Sequence, residues 1–175
     1  IFNSHDIFKS GKSSTVVFEN FSGSTVEYAA TSSSSGDFPI PKTSGGNSYY
    51  NLIISGTADC NLDLDIYNNL EISGTANGSS VVDIDGNLNV TGNANCNWDL
   101  NIKGNWTNSG TFTSSSANNT VTFNGSSPQQ LNGGTNNFKR LVLNNSSSLT
   151  ISGTSTLEIE EYIESQSGII NNSGC

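Results

Sequence analysis

From Asn51 to Thr111 one short phrase returns four times at a fixed step of eighteen residues, with no insertion between copies. Asn51, Asn69, Asn87 and Asn105 form one column, and Leu52, Leu70, Leu88 and Trp106 stand beside it. Ile54, Ile72 and Val90 follow, with Asn108 breaking the apolar run, and Gly56, Gly74, Gly92 and Gly110 make a further column. Ala58, Ala76 and Ala94, then Leu64, Val82 and Leu100, then Ile66, Ile84 and Ile102 hold the same register. Self-similarity at so short a period restricts the chain to an architecture in which each unit buries its apolar residues against the next copy of itself.

Within one unit the apolar residues alternate as Leu52-x-Ile54, Ala58-x-Cys60 and Leu64-x-Ile66, with starts six residues apart. Alternation is the strand period, so each unit forms three short faces, each turning two side chains inward. The expected fold is all-β: a single-stranded parallel β-helix, or β-solenoid, with triangular coils of about 18–22 residues. Unequal coil lengths at both ends favour right-handed coiling. The middle face carries only Ala, Cys and Gly inward, so it is expected to lie close to the opposite walls.

A thin interior of this kind needs few apolar residues. Hydrophobic content is 33%, below the globular norm, yet charged residues are only 12%, so repulsion does not hold the chain open as in a disordered segment. Net charge is −9, which argues against nucleic acid or an anionic membrane as a partner. No apolar run approaches the ~18 residues of a membrane span, so no membrane insertion is expected. Ile1 opens in mid-pattern and the sequence holds no Met, so the chain reads as a piece of a longer rod with further coils or domains as neighbours.

The organisation is one continuous solenoid over 1–175, with irregular coils in 1–50, regular eighteen-residue coils in 51–110 and longer coils in 111–175. Asn3-Ser4 and Thr15-Val16-Val17-Phe18 repeat the spacing of Asn108-Ser109 and Thr120-Val121-Thr122-Phe123, which makes the N-terminal end another copy of a later unit. Thr25-Val26-Glu27-Tyr28 and Leu52-Ile53-Ile54 likewise match Thr120–Phe123 and Leu141-Val142-Leu143, with six extra residues that the Ser-rich stretch 31–37 absorbs. Pro39 and Pro41 cannot donate ladder hydrogen bonds, so the coil is expected to bulge there. From Asn105 the coils are expected to lengthen to about twenty residues. The Asn column reads as one corner and the Ser/Thr-Gly-Thr/Asn phrase at 55–57, 73–75, 91–93 and 109–111 as another, since Asn and Gly accept left-handed backbone and stacked Asn side chains can hydrogen-bond along the stack.

Side chains able to carry chemistry are scattered. Cys60 and Cys96 share a column two coils apart, at roughly 9.6 Å for ~4.8 Å per coil, too far for a disulfide, and are expected to be reduced and buried. Cys175 is left over. His5, the one histidine, falls in a turn beside Asp6 without a nucleophile in view. Asp65 and Asp83 share an outward column flanked by Asp63 and Asp99, which is a candidate calcium site weighed against a solvated acidic face that discourages edge aggregation. Lys103 is the one basic residue near these acids, a poor match to the acid-and-base grooves of polysaccharide-cleaving β-helices, so no catalytic residue, cofactor or metal is assigned. The column Thr57, Thr75, Asn93 and Thr111 beside Ser55, Ser73, Thr91 and Ser109 suggests an outward hydroxyl array of the kind an ice-binding face needs, but the intervening Gly reads as a corner. Tyr49, Tyr50 and Phe138 are candidate glycan contacts, able to stack on sugar rings, or wedges at a coil entrance. Recognition is expected where the period fails, at 29–50 and 113–140.

Through Gly104-Asn105-Trp106-Thr107-Asn108-Ser109-Gly110-Thr111-Phe112-Thr113, Thr120–Gly125 and Leu141-Val142-Leu143-Asn144-Asn145, nearly the whole chain resembles the low-complexity β-solenoid repeats of large secreted surface proteins and adhesins of Bacteroidota, many of them exported by the type IX route. The resemblance implies a structural or adhesive rod at the cell surface or in the extracellular space, non-catalytic, with glycans or surfaces as partners. The alternative is a carbohydrate-binding or polysaccharide-cleaving β-helix.

Overall fold

The computed structural model describes residues 22–29, 48–114 and 118–173, and every regular element among them is a β-strand. The strands pair in parallel and stack as a solenoid of about six turns. Three ladders run its length. On the first face Thr25–Tyr28, Asn51–Ile54, Leu70–Ile72, Leu88–Val90, Trp106–Asn108 and Gln129–Asn132 follow one another, and 149–151 and 170–172 continue the column. The second face holds Thr57–Asp59, Thr75–Gly78, Asn93–Cys96 and Thr111–Ser114, then 135–138 and 156–159. The third holds Ser48–Tyr49, Leu64–Ile66, Val81–Ile84, Asp99–Ile102 and Thr120–Phe123, then 140–143 and 162–165. In the last two coils the chain runs Thr135–Ile151 and Thr156–Asn172 as long strands that keep pairing round the corners, with register shifts at 138–140 and 143–148.

The inward columns are those the repeat marks. Leu52, Ile54, Ala58, Cys60, Leu64 and Ile66 of one coil are at most 2% exposed, as are their equivalents two coils on, from Leu88 to Ile102. Burying each larger side chain contributes about 1.5–3 kcal/mol. The second face is lined by Ala58, Ala76 and Ala94 only until Phe112. There the filling changes: Trp106, Phe112, Phe123 and Phe138 form one cluster, with ring centroids 4.7 Å apart for Trp106 and Phe112 and 5.1 Å for Trp106 and Phe138, both edge-on. The small-residue wall therefore gives way to an aromatic core where the coils lengthen.

The regular coils have the expected step of eighteen, but the next one is longer than the sequence led us to expect, at 25 residues from Asn105 to Gln130. The added length falls between the strands Thr111–Ser114 and Thr120–Phe123 and between Thr120–Phe123 and Gln129–Asn132, so no described ladder is interrupted. Asn108, which breaks the apolar column, is 1% exposed and satisfied: its Nδ2 donates to the Thr135 carbonyl at 3.0 Å and to Asn136 Oδ1 at 2.8 Å, while its Oδ1 accepts from the Gly110 N–H at 2.9 Å. Gln129 makes a second internal amide knot with Asn145 at 2.8 Å and with the Gly125 N–H at 3.0 Å. Trp98 and Trp106 bury their indole N–H groups without a protein partner.

Two expectations are corrected. Thr25–Tyr28 stacks under Asn51–Ile54 on the first face, whereas Thr120–Phe123 and 140–143 stack on the third. The matched phrases share a vertical relation, not a face, because alternation alone does not distinguish the faces. The Asn and Ser/Thr-Gly corners of the regular coils are also not left-handed: among the described residues no non-glycine residue has positive φ, and the positive-φ glycines, Gly23, Gly78, Gly133, Gly134 and Gly168, lie elsewhere. Glycine recurs at 74, 92 and 110 for a different reason, since a Cβ at each would run into the carbonyl oxygen of the glycine one coil below. Close stacking of backbone on backbone excludes a side chain there.

Candidate functional surface

With the inward positions filled, function rests on the outward ones, and the three faces differ. On the first face the Asn column forms a ladder. Asn51 Oδ1 accepts from the Asn69 N–H at 3.2 Å, Asn69 Oδ1 from the Asn87 N–H at 2.9 Å, Asn87 Oδ1 from the Asn105 N–H at 2.9 Å, and Asn105 Oδ1 from the Gln130 N–H at 2.8 Å. The side-chain carbonyl thus satisfies a corner N–H that no strand partner reaches. This is the stacking the sequence suggested, with the contact running from side chain to backbone.

The third face is acidic. Asp65 and Asp83 are exposed and adjacent in register. Asp83 Oδ1 accepts from Asn101 Nδ2 at 2.7 Å, Asp63 Oδ1 from the Val81 N–H at 2.9 Å and Asp99 Oδ1 from the Thr120 N–H at 2.9 Å. Lys103 Nζ lies 2.6 Å from Asp85 Oδ1, and that hydrogen bond and charge raise the lysine's pKa above its ordinary value. Several of these carboxylates are thus committed to structure. Among the described residues no three His, Cys, Asp or Glu side chains converge as a metal site.

The candidate glycan contacts fare unequally. Tyr49 is 1% exposed, paired in register with Ile66, and Phe138 is fully buried against Phe112 and Trp106. Both are core residues, so neither offers a ring to a sugar; they stand at inward positions of their strands. Tyr50 is half-buried. Among the described residues Tyr67 is 53% exposed at the edge of the acidic face, one position beyond inward Ile66, and Tyr162 near the C-terminal end is 40% exposed. The same alternation that predicted the core places Tyr67 outside with Asp63 and Asp65, a signal present in the sequence. His5, Cys175, the Ser-rich insertion at 31–37 and the expected bulge at Pro39 and Pro41 lie outside the described residues.

Cys60 and Cys96 are free, unpaired and buried. Burial, then the Asp59 charge, pushes the Cys60 thiol up to about 12, and burial raises Cys96 well above its ordinary value. Cys96 Sγ donates to the Ala76 carbonyl at 3.2 Å. Thiols held protonated in this way are poor nucleophiles and serve here as small core residues.

On the second face Thr57, Thr75, Asn93 and Thr111 begin the strands, in register, and Thr135 and Thr156 extend the column. The expected corner is therefore a strand position, and the intervening glycine belongs to the turn before it.

The chain matches no protein-family model, no curated protein and no solved structure.

Proposed function

We propose that the chain is a structural or adhesive rod segment of a secreted or cell-surface protein, without catalytic activity. The observation that carries this is the continuity of three parallel ladders over the described coils, closed by the Asn ladder at one corner, with insertions placed where they interrupt none of them. Such an object transmits position: it holds whatever it displays at a fixed distance. Its net charge of −9 keeps it soluble and apart from like-charged rods.

A second reading, contact with or cleavage of a polysaccharide, is favoured by the exposed Tyr67 ring beside the solvated Asp65 and Asp83 and the Asp85–Lys103 pair. An aromatic face with hydrogen-bonding groups at its side is what a sugar ring requires. A polysaccharide-depolymerisation assay and a glycan array on the folded chain separate the two. The rod role predicts no release of reducing ends; release that disappears in Asp65→Asn or Asp83→Asn would overturn it.

A further inference from the structure

The second face differs from the other two in a way that its fold does not need. Its outward positions form two columns: Thr57, Thr75, Asn93, Thr111, Thr135 and Thr156 in one, and Asp59, Asn77, Asn95, Thr113, Asn137 and Glu158 in the other. Between the charged residues at its two ends, four successive coils present hydroxyls and amides alone, in a chain of net charge −9. The register holds through a lengthened coil, Thr111 to Thr135, because the added residues lie at the other corners. The bulges of the last two coils fall after Phe138 and at 143–148, beyond the outward pair Thr135 and Asn137 of this face.

Hydrogen bonding separates it further. The corner of the first face holds the hydrogen-bonded Asn ladder, and several carboxylates of the third face accept from neighbouring N–H groups, Asn101 and Lys103. On the second face the side chains of Thr75, Asn77, Asn93, Asn95, Thr111 and Thr113 make no hydrogen bond to another described residue. These groups form a two-dimensional array, ~4.8 Å from coil to coil and ~6.6 Å between alternate residues of a strand. A neutral, periodic array of open donors and acceptors gains from a ligand that is itself neutral and periodic. A crystalline polysaccharide would be met by aromatic rings in the plane, and the aromatic residues of this face, Phe112 and Phe138, point inward.

We propose that this face binds ice, its hydroxyls and amides ordering water in a lattice whose oxygen repeat lies close to the coil spacing. That activity goes beyond the rod role and gives the rod a surface to adhere to. The test is adsorption of the folded chain to a growing ice hemisphere, with thermal hysteresis measured beside it. Incorporation into ice is expected. It is expected to be lost in Thr111→Lys and Asn95→Lys, both at exposed outward positions, and kept in Thr107→Lys on the first face. Circular dichroism melts report whether each variant stays folded, and Asn95→Lys carries the test if Thr111→Lys does not. Exclusion of the wild-type chain from ice would overturn the proposal, as would equal incorporation of all three variants, or adsorption to cellulose or chitin in place of ice.

Discussion

At the residue scale, the polar side chains that matter most are those that stand in for a missing strand partner. Asn87 accepts from the Asn105 N–H at 2.9 Å and donates to Asn69 Oδ1 at 3.1 Å. Asn87→Ala should cost about 0.5–1.5 kcal/mol in urea denaturation, and Asn87→Asp, which keeps the acceptor, should recover most of it. Asn108 makes a sharper case. Asn108→Val would restore the column of Ile54, Ile72 and Val90, yet it should destabilise by about 1–3 kcal/mol, because Asn136 and the Gly110 N–H lose their buried partner. A gain in stability would show that the apolar column outweighs the amide knot. The buried thiol sets a pH dependence. Cys60 rises from 9.0 to about 12 on folding, so the folded state holds its proton where the unfolded chain has lost it. Stability is therefore level below the unfolded value and falls as pH climbs from about 9 towards 12, and Tyr28, raised from 10.0 to about 12 chiefly by burial, steepens the upper part. Urea midpoints against pH should show this decline, with a shallower start in Cys60→Ala.

At the element scale, a coil's worth depends on whether another coil covers it. Ile72 is fully buried, whereas Ile163, an inward-column residue of the final described strand, is 54% exposed. Ile72→Asp should break the stack locally and lower the melting temperature by ten degrees or more on the order of a several-kcal/mol loss, since it buries a carboxylate without a partner. Ile163→Asp should shift it far less. Gly92→Ala should also destabilise, although alanine suits the backbone, because its Cβ would press on the Gly74 carbonyl oxygen. The eighteen-residue phrase made the faces, the inward columns and the buried Cys60 and Cys96 legible, since each depends only on a period of two within a period of eighteen. The length of the coil after Asn105 and the aromatic filling around Trp106 were not legible, because they are settled by contacts between residues far apart in sequence. Tyr49 and Phe138 stood open between glycan contact and coil-entrance wedge for the same cause: where the period fails, alternation has no reference point. The Thr column was visible, but whether it opened a strand or turned a corner depended on the backbone path before it.

At the scale of the whole molecule, length is added one coil at a time, and stability is a sum of coils and of the contacts between neighbours. Like-charge repulsion across the acidic third face is offset where Asn101 and Lys103 meet Asp83 and Asp85. Near the C-terminal end Lys139 and Arg140 meet Glu160 and Glu161 at 3.1 and 2.8 Å, and the Arg140 hydrogen bond holds the Glu161 carboxyl below its usual range. The most direct measurement of the stacked-coil account is the length of chains carrying extra copies of 69–86, followed by small-angle scattering and thermal melts. Each added copy should lengthen the particle by about 4.8 Å at constant cross-section and leave the melting temperature level or higher. A particle that thickens, or one that unfolds at the first added copy, would contradict it.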